Sequence, residues 1–169
     1  MAQVTFKGNV MNLQGQTIQQ GQQAPNFQLL NQALEAVTIE NFRGKVTMLN
    51  VVPSLDTPVC QIQSRQFFQR LQNMPVQLVT VSMDLPFAQK RFCGAESMES
   101  MMTLSDHRDA NFGEAYGLLL PALRLLTRAV IIIDAQGNIA YSEVVPEVTS
   151  EPNYDAAMRA IEAVVSARV

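Results

Sequence analysis

Short apolar runs along this chain alternate with stretches whose apolar positions recur at helical spacing. The runs at 46–52, 76–83 and 129–134 read as buried strands. Between the first two lies a segment, about 58–72, with Cys60, Ser64, Phe67 and Leu71 on one helical face and Phe68 beside them. A shorter helix follows the second strand. Asp84 is its expected cap, Pro86 lies near its start, Cys93 lies on it, and Gly94 is the expected stop. A strand at 101–104 and a helix at about 109–116, ended by Gly117, come next. Ala135-Gln136-Gly137-Asn138 turns the strand at 129–133 into a partner strand at 139–145. A last helix spans 154–167. Ahead of all this, Val4-Thr5-Phe6 and Met11-Asn12-Leu13 form an expected β-hairpin within about 1–14. An extended segment at 24–30 and an edge strand at 37–39 follow. The order predicts an α/β fold.

Composition narrows this picture. With 169 residues, 47% of them hydrophobic and 16% charged, one compact soluble domain over 1–169 is expected. The net charge is −3 and lysine and arginine are scattered, so no nucleic-acid partner is expected. No apolar run reaches the roughly 18 residues of a membrane span, and the first residues lack a signal-peptide layout. A cytoplasmic location is the expectation. In that reducing setting the two cysteines are either inert or catalytic.

The candidate chemistry centres on Pro53-Ser54-Leu55-Asp56-Thr57-Pro58-Val59-Cys60. This stretch joins a strand's carboxyl end to a helix start, the rim where α/β sheets build sites. Thr57 suits the N-cap and Pro58 the first helical position. Cys60 then faces the positive end of the helix dipole, which favours a thiolate. A buried structural thiol is the competing reading. Cys93 could be a redox partner, half of a static disulfide or a small hydrophobe. No Cys-x-x-Cys exists for exchange by adjacent thiols. His107, the only histidine, reads as solvated beside Asp106 and Arg108, and the ligand spacing fits no usual zinc pattern. Arg128 precedes the strand at 129–133. It is either a surface charge or a guanidinium near the thiolate, and spacing alone does not decide.

Pro53-x-x-x-Thr57-x-x-Cys60 resembles the peroxiredoxin active-site motif, and the full octapeptide is similar to the thiol peroxidase branch, atypical two-cysteine peroxiredoxins. The likeness continues at 84–96, 103–106, 115–117, Arg128-Ala129-Val130 and 151–154, in register over nearly the whole chain. It implies a thioredoxin-like fold with a central mixed β-sheet flanked by helices, as the order of elements also suggests by analogy. It implies a peroxidase acting on hydrogen peroxide and organic hydroperoxides, leaning toward alkyl ones. Cys60 is then the peroxidatic cysteine and Cys93 the resolving one, joined as an intramolecular disulfide that thioredoxin reduces. Thr57, Arg128 and Pro53 fill the remaining motif roles in a homodimer that needs no metal or organic cofactor. A peroxide-sensing redox switch on the same fold is the alternative. Thr57's oxygen is expected to accept from the Cys60 amide while lying next to its sulfur.

Overall fold

The computed structural model describes residues 2–167. The N-terminal hairpin forms from β1 (Gln3–Phe6) and β2 (Asn9–Asn12), paired antiparallel. The centre is a seven-stranded sheet built from β3 (Gln28–Leu30), β4 (Ala36–Thr38), β5 (Thr47–Val51), β6 (Gln77–Ser82), β7 (Met102–Ser105), β10 (Ala129–Ile133) and β11 (Ile139–Val144). Its order is β11-β10-β5-β6-β7-β3-β4. The β5-β6-β7 core is parallel and the other neighbours are antiparallel, so the sheet is mixed. Helices α1 (Pro58–Arg70) and α2 (Pro86–Ala95) make the two crossovers within that parallel core. Helix α3 (Asn111–Tyr116) follows β7, and α4 (Tyr154–Ser166) is the last of the described elements.

Both sheet faces are covered. One packs on Phe27, Phe112 and Tyr116, with Leu49, Val81 and Ile131 of the sheet. The other packs beneath α1, α2 and α4, through Phe67, Phe92 and Ile161 on Met48, Leu78 and Ile132. All five residues of β5 are buried, which is why its sequence reads as an unbroken run rather than an alternation. The alternation persists underneath. Met48 and Asn50 point toward α1, while Leu49 and Val51 point the other way.

Two local expectations change, and two short elements are added. Asp84 does not cap α2, whose N-cap is Leu85 without a side-chain bond. Gly94 does not stop the helix, which continues to Ala95 and then turns at Ser97 in the left-handed region, φ 57°. A small hairpin, β8 (Leu119–Leu120) with β9 (Leu125–Leu126), and a single 3₁₀ turn at Ile39–Phe42 are additional. Gly117 does end α3, at φ 67°. The N-cap of α3 is Ala110, and the buried Asp106 carboxylate accepts from the first-turn amides of Gly113 and Phe112 at 2.9 and 3.1 Å. Burial pushes its carboxyl up to about 6, against the lowering effect of those two amides. Among the described residues no helix is long and apolar enough to cross a membrane.

Candidate active site

Cys60 is the third residue of α1, with Thr57 as N-cap and Pro58 at the first position. It is fully buried, and its thiol is free. The loop before it is braced from the neighbouring crossover. The Asp84 carboxylate accepts from the Ser54 hydroxyl and the Leu55 amide, both at 2.7 Å, and from the Ser82 hydroxyl at 2.8 Å. Pro53 is buried at the end of β5 and adds no donor there.

Thr57 does not cap as expected. Its hydroxyl donates to the Ser54 carbonyl at 2.9 Å and no side-chain cap bond forms. The amides of Val59 and Cys60 are therefore left without an acceptor among the described residues. Helix geometry aims them outward along the axis, making a small anion-binding end. Thr57 itself is exposed, with its oxygen lone pairs still open to a donor.

Arg128 comes to this rim through strand pairing. Ala129 lies opposite Val51 in the antiparallel β10–β5 pair, so the residue before it falls beside Val52 and Pro53. Strand alternation then aims Arg128 to the same face as Val130 and Ile132, the face under α1. It is 3% exposed. Its Nε donates to the Val148 carbonyl at 2.8 Å and its Nη1 to Gln63 Oε1 at 3.0 Å. Gln63 is one helical turn from Cys60. Both acceptors are neutral, and no carboxylate lies within ion-pair distance of Arg128 among the described residues. A buried guanidinium with only neutral partners is a standing positive charge beside the Cys60 turn.

Cys93 lies in the last turns of α2, buried and free, in the same apolar cluster as Cys60. Burial pushes its thiol up to about 11; a 3.9 Å approach of the Gln32 amide opposes this and the charge of Glu99 adds to it. Arg65 of α1 pairs with Glu96, the residue that caps α2 just past Cys93.

Four polar residues of this region carry no motif signal: Asn50, Gln63, Ser64 and Thr80, all fully buried. Asn50 was the visible clue, since it interrupts an apolar run at a position facing α1. Gln63 was the other, one turn beyond Cys60.

Residues 19–158 match the Redoxin family model. A thiol peroxidase of Listeria innocua is 50% identical over 161 residues, 95% of this chain and 98% of that protein. One from Bacillus subtilis is 45% identical over 166 residues, 98% and 99% of the two chains. A crystal structure of a peroxiredoxin-like protein from Aquifex aeolicus superposes with a TM-score of 0.91 at 38% identity, covering 98% of each chain. A thiol peroxidase from Chromobacterium violaceum has a TM-score of 0.87 at 20% identity over 95% of each chain, a likeness of fold. The chain belongs to the Redoxin family and, within it, to the thiol peroxidases, thiol-dependent enzymes of the peroxiredoxin type with a thioredoxin-like fold.

Proposed function

We propose that Cys60 is the peroxidatic cysteine of this peroxidase and Cys93 its resolving partner within the same chain. The observation that carries this reading is the buried Arg128, with no carboxylate partner among the described residues and bonded one turn from Cys60. That charge has use for an anion, and a Cys60 thiolate with a peroxide leaving oxygen supplies one. The free amides of Val59 and Cys60 and the open lone pairs of Thr57 add further polar groups to the same helix start. Cys60 is covered in this state, so a small hydroperoxide reaches it as the exposed turn at Thr57 and Pro58 gives way.

The chemistry then runs in three balanced steps. The Cys60 sulfur attacks one peroxide oxygen, the O–O bond breaks, and the other oxygen leaves as water or an alcohol after taking a proton. The Cys93 sulfur attacks the resulting sulfenic acid, a disulfide forms and water leaves. A dithiol protein of the thioredoxin type returns both cysteines to thiols by exchange, becoming a disulfide itself.

The disulfide step adds a movement. Cys60 is third in α1 and Cys93 eighth in α2. They lie on different helices as free thiols of one apolar cluster, and a disulfide's Cα atoms span at most roughly 7 Å. We propose that the end of α2 unwinds in each cycle to bring Cys93 onto the Cys60 sulfur. Unwinding also returns Cys93 to water, where its thiol ionises more readily than in the core. The assembly we propose is a homodimer acting in the cytoplasm, and exposed Leu85 and Phe87 beside the rim support an interface.

Peroxide turnover with thioredoxin, its reductase and NADPH tests the assignment. Cys60→Ser should be inactive. Cys93→Ser should complete one turnover and lose recycling. Full activity in Cys60→Ser overturns the reading.

A further inference from the structure

Asn50, Thr80 and Arg128 stand out on the apolar sheet face beneath α1, and the direction of every hydrogen bond among them follows from one fact. A guanidinium only donates. Arg128 Nη1 donates to Gln63 Oε1 at 3.0 Å, which commits Gln63 Nε2 to donate to Asn50 Oδ1 at 2.6 Å. Asn50 then has only its two amide hydrogens to give. One goes to Ser64 Oγ and one to Thr80 Oγ1, each at 3.0 Å. Each hydroxyl, having accepted, donates onward. Ser64 donates to the carbonyl of Cys60 at 2.8 Å, and Thr80 to the thioether of Met101 at 3.1 Å.

The result is a buried, branched chain polarised in one direction, in which each bond strengthens the next. It starts at the positive charge and ends on two segments. One end is the first turn of α1, at Cys60 itself. The other is Met101, the last residue of the loop that joins α2 to β7. Backbone bonds tie that loop back to the resolving segment: Met101 N–H to Met98 O at 3.0 Å, and Met98 N–H to Cys93 O at 2.9 Å.

We propose that Asn50 is a branch-point positioning residue: through Gln63 it holds Arg128, through Ser64 the Cys60 turn, and through Thr80 the anchor of the Cys93 segment. The inference rests on the reading that Cys60 is peroxidatic and Cys93 resolving. One arm serves peroxide attack, and the other restrains the unwinding that follows.

The test separates the two chemical steps. The chain has no tryptophan to report on them, so rapid-quench mass spectrometry is the readout. Dimedone trapping follows Cys60 oxidation by a hydroperoxide, and the two-hydrogen mass loss follows the disulfide. Gln63→Met removes a charge-assisted bond and should slow oxidation about tenfold while the disulfide step stays within about twofold. Thr80→Val removes a neutral bond and should leave oxidation within about twofold while speeding the disulfide step severalfold. Asn50→Leu should change both. If Asn50→Leu does not fold, Ser64→Ala is read in its place, with slowed oxidation expected. A wild-type oxidation rate in Gln63→Met overturns the proposal. So does an equal change in both steps across the variants, tracking only their melting temperatures. Peroxide turnover surviving in Cys60→Ser would instead overturn the underlying cysteine assignment, which keeps the two failures distinct.

Discussion

At Cys93 the physics of one buried thiol sets a pH dependence. Its ordinary value of 9.0 is pushed up to about 11 by burial. Between those values the folded chain keeps a proton that the unfolded chain has lost. The stability this contributes is complete below pH 9.0 and is lost as pH rises through about 11. The same shift leaves on the order of a hundredfold less thiolate at pH 8 than an unfolded cysteine has. In Cys60→Ser protein, where Cys93 is the only thiol, iodoacetamide should therefore alkylate the native chain far more slowly than the urea-unfolded chain. Equal rates would contradict the buried thiol. Cysteine position and helix start were legible at Cys60 because Thr57 and Pro58 are local signals. The task of Thr57's hydroxyl was not. Its donation to the Ser54 carbonyl depends on the shape of the 53–57 loop, which Asp84, thirty residues away in sequence, braces through Ser54 and Leu55. Arg128 was ambiguous for the same reason, since only the register of β10 against β5 brings it to the rim.

Among the elements, those with a clear period were legible to within a residue or two. Strands β5, β6 and β10 are buried on both faces and so are written as apolar runs, while α1 and α4 carry apolar faces. The ends were harder. Gly94 looks like a stop, yet α2 runs past it because the helix is held from outside by the Arg65–Glu96 pair and by the backbone bond from Met98 to Cys93. Hairpin β8–β9 has no polar alternation to announce it, since Leu119, Leu120 and Leu126 are all buried. Gly117 is a stop by necessity. It sits at φ 67°, and a Cβ there would meet the Gln16 carbonyl oxygen at 2.7 Å. Gly117→Ala should cost more than about 1 kcal/mol, read as a lower urea midpoint with an unchanged slope. A neutral outcome would mean that the 15–17 segment yields freely.

For the molecule as a whole, the site depends on chain ends far apart in sequence. Val148, whose carbonyl seats Arg128, donates its own amide to Thr5 O at 2.8 Å, and the Thr5 amide donates to Pro146 O at 2.8 Å. Glu147 strengthens this clasp. Its carboxylate accepts from the Thr5 hydroxyl and the Gly8 amide, both at 2.9 Å, and from the Thr149 hydroxyl at 2.7 Å. The Thr149 hydroxyl, then the Thr149 and Gly8 amides, hold that carboxyl far below the usual carboxylate range, so the clasp survives mild acid. Glu147→Ala should loosen the seat of Arg128. The expected reading is a KM for hydroperoxide raised severalfold, on the order of one lost charge-assisted bond, with far-UV circular dichroism unchanged. An unaltered KM would mean that Gln63 alone suffices to hold the guanidinium.

The clasp also has a consequence for synthesis. The hairpin β1–β2 is made long before its docking partner at 146–149. A contact spanning more than 140 residues closes late, after the local α/β units have formed. Until then Arg128 lacks the carbonyl that aims it. The nascent chain thus carries Cys60 before Arg128 has been seated. A chain arrested before residue 146 should consume peroxide slowly, and competence should arrive once residues 146–149 have been made and docked.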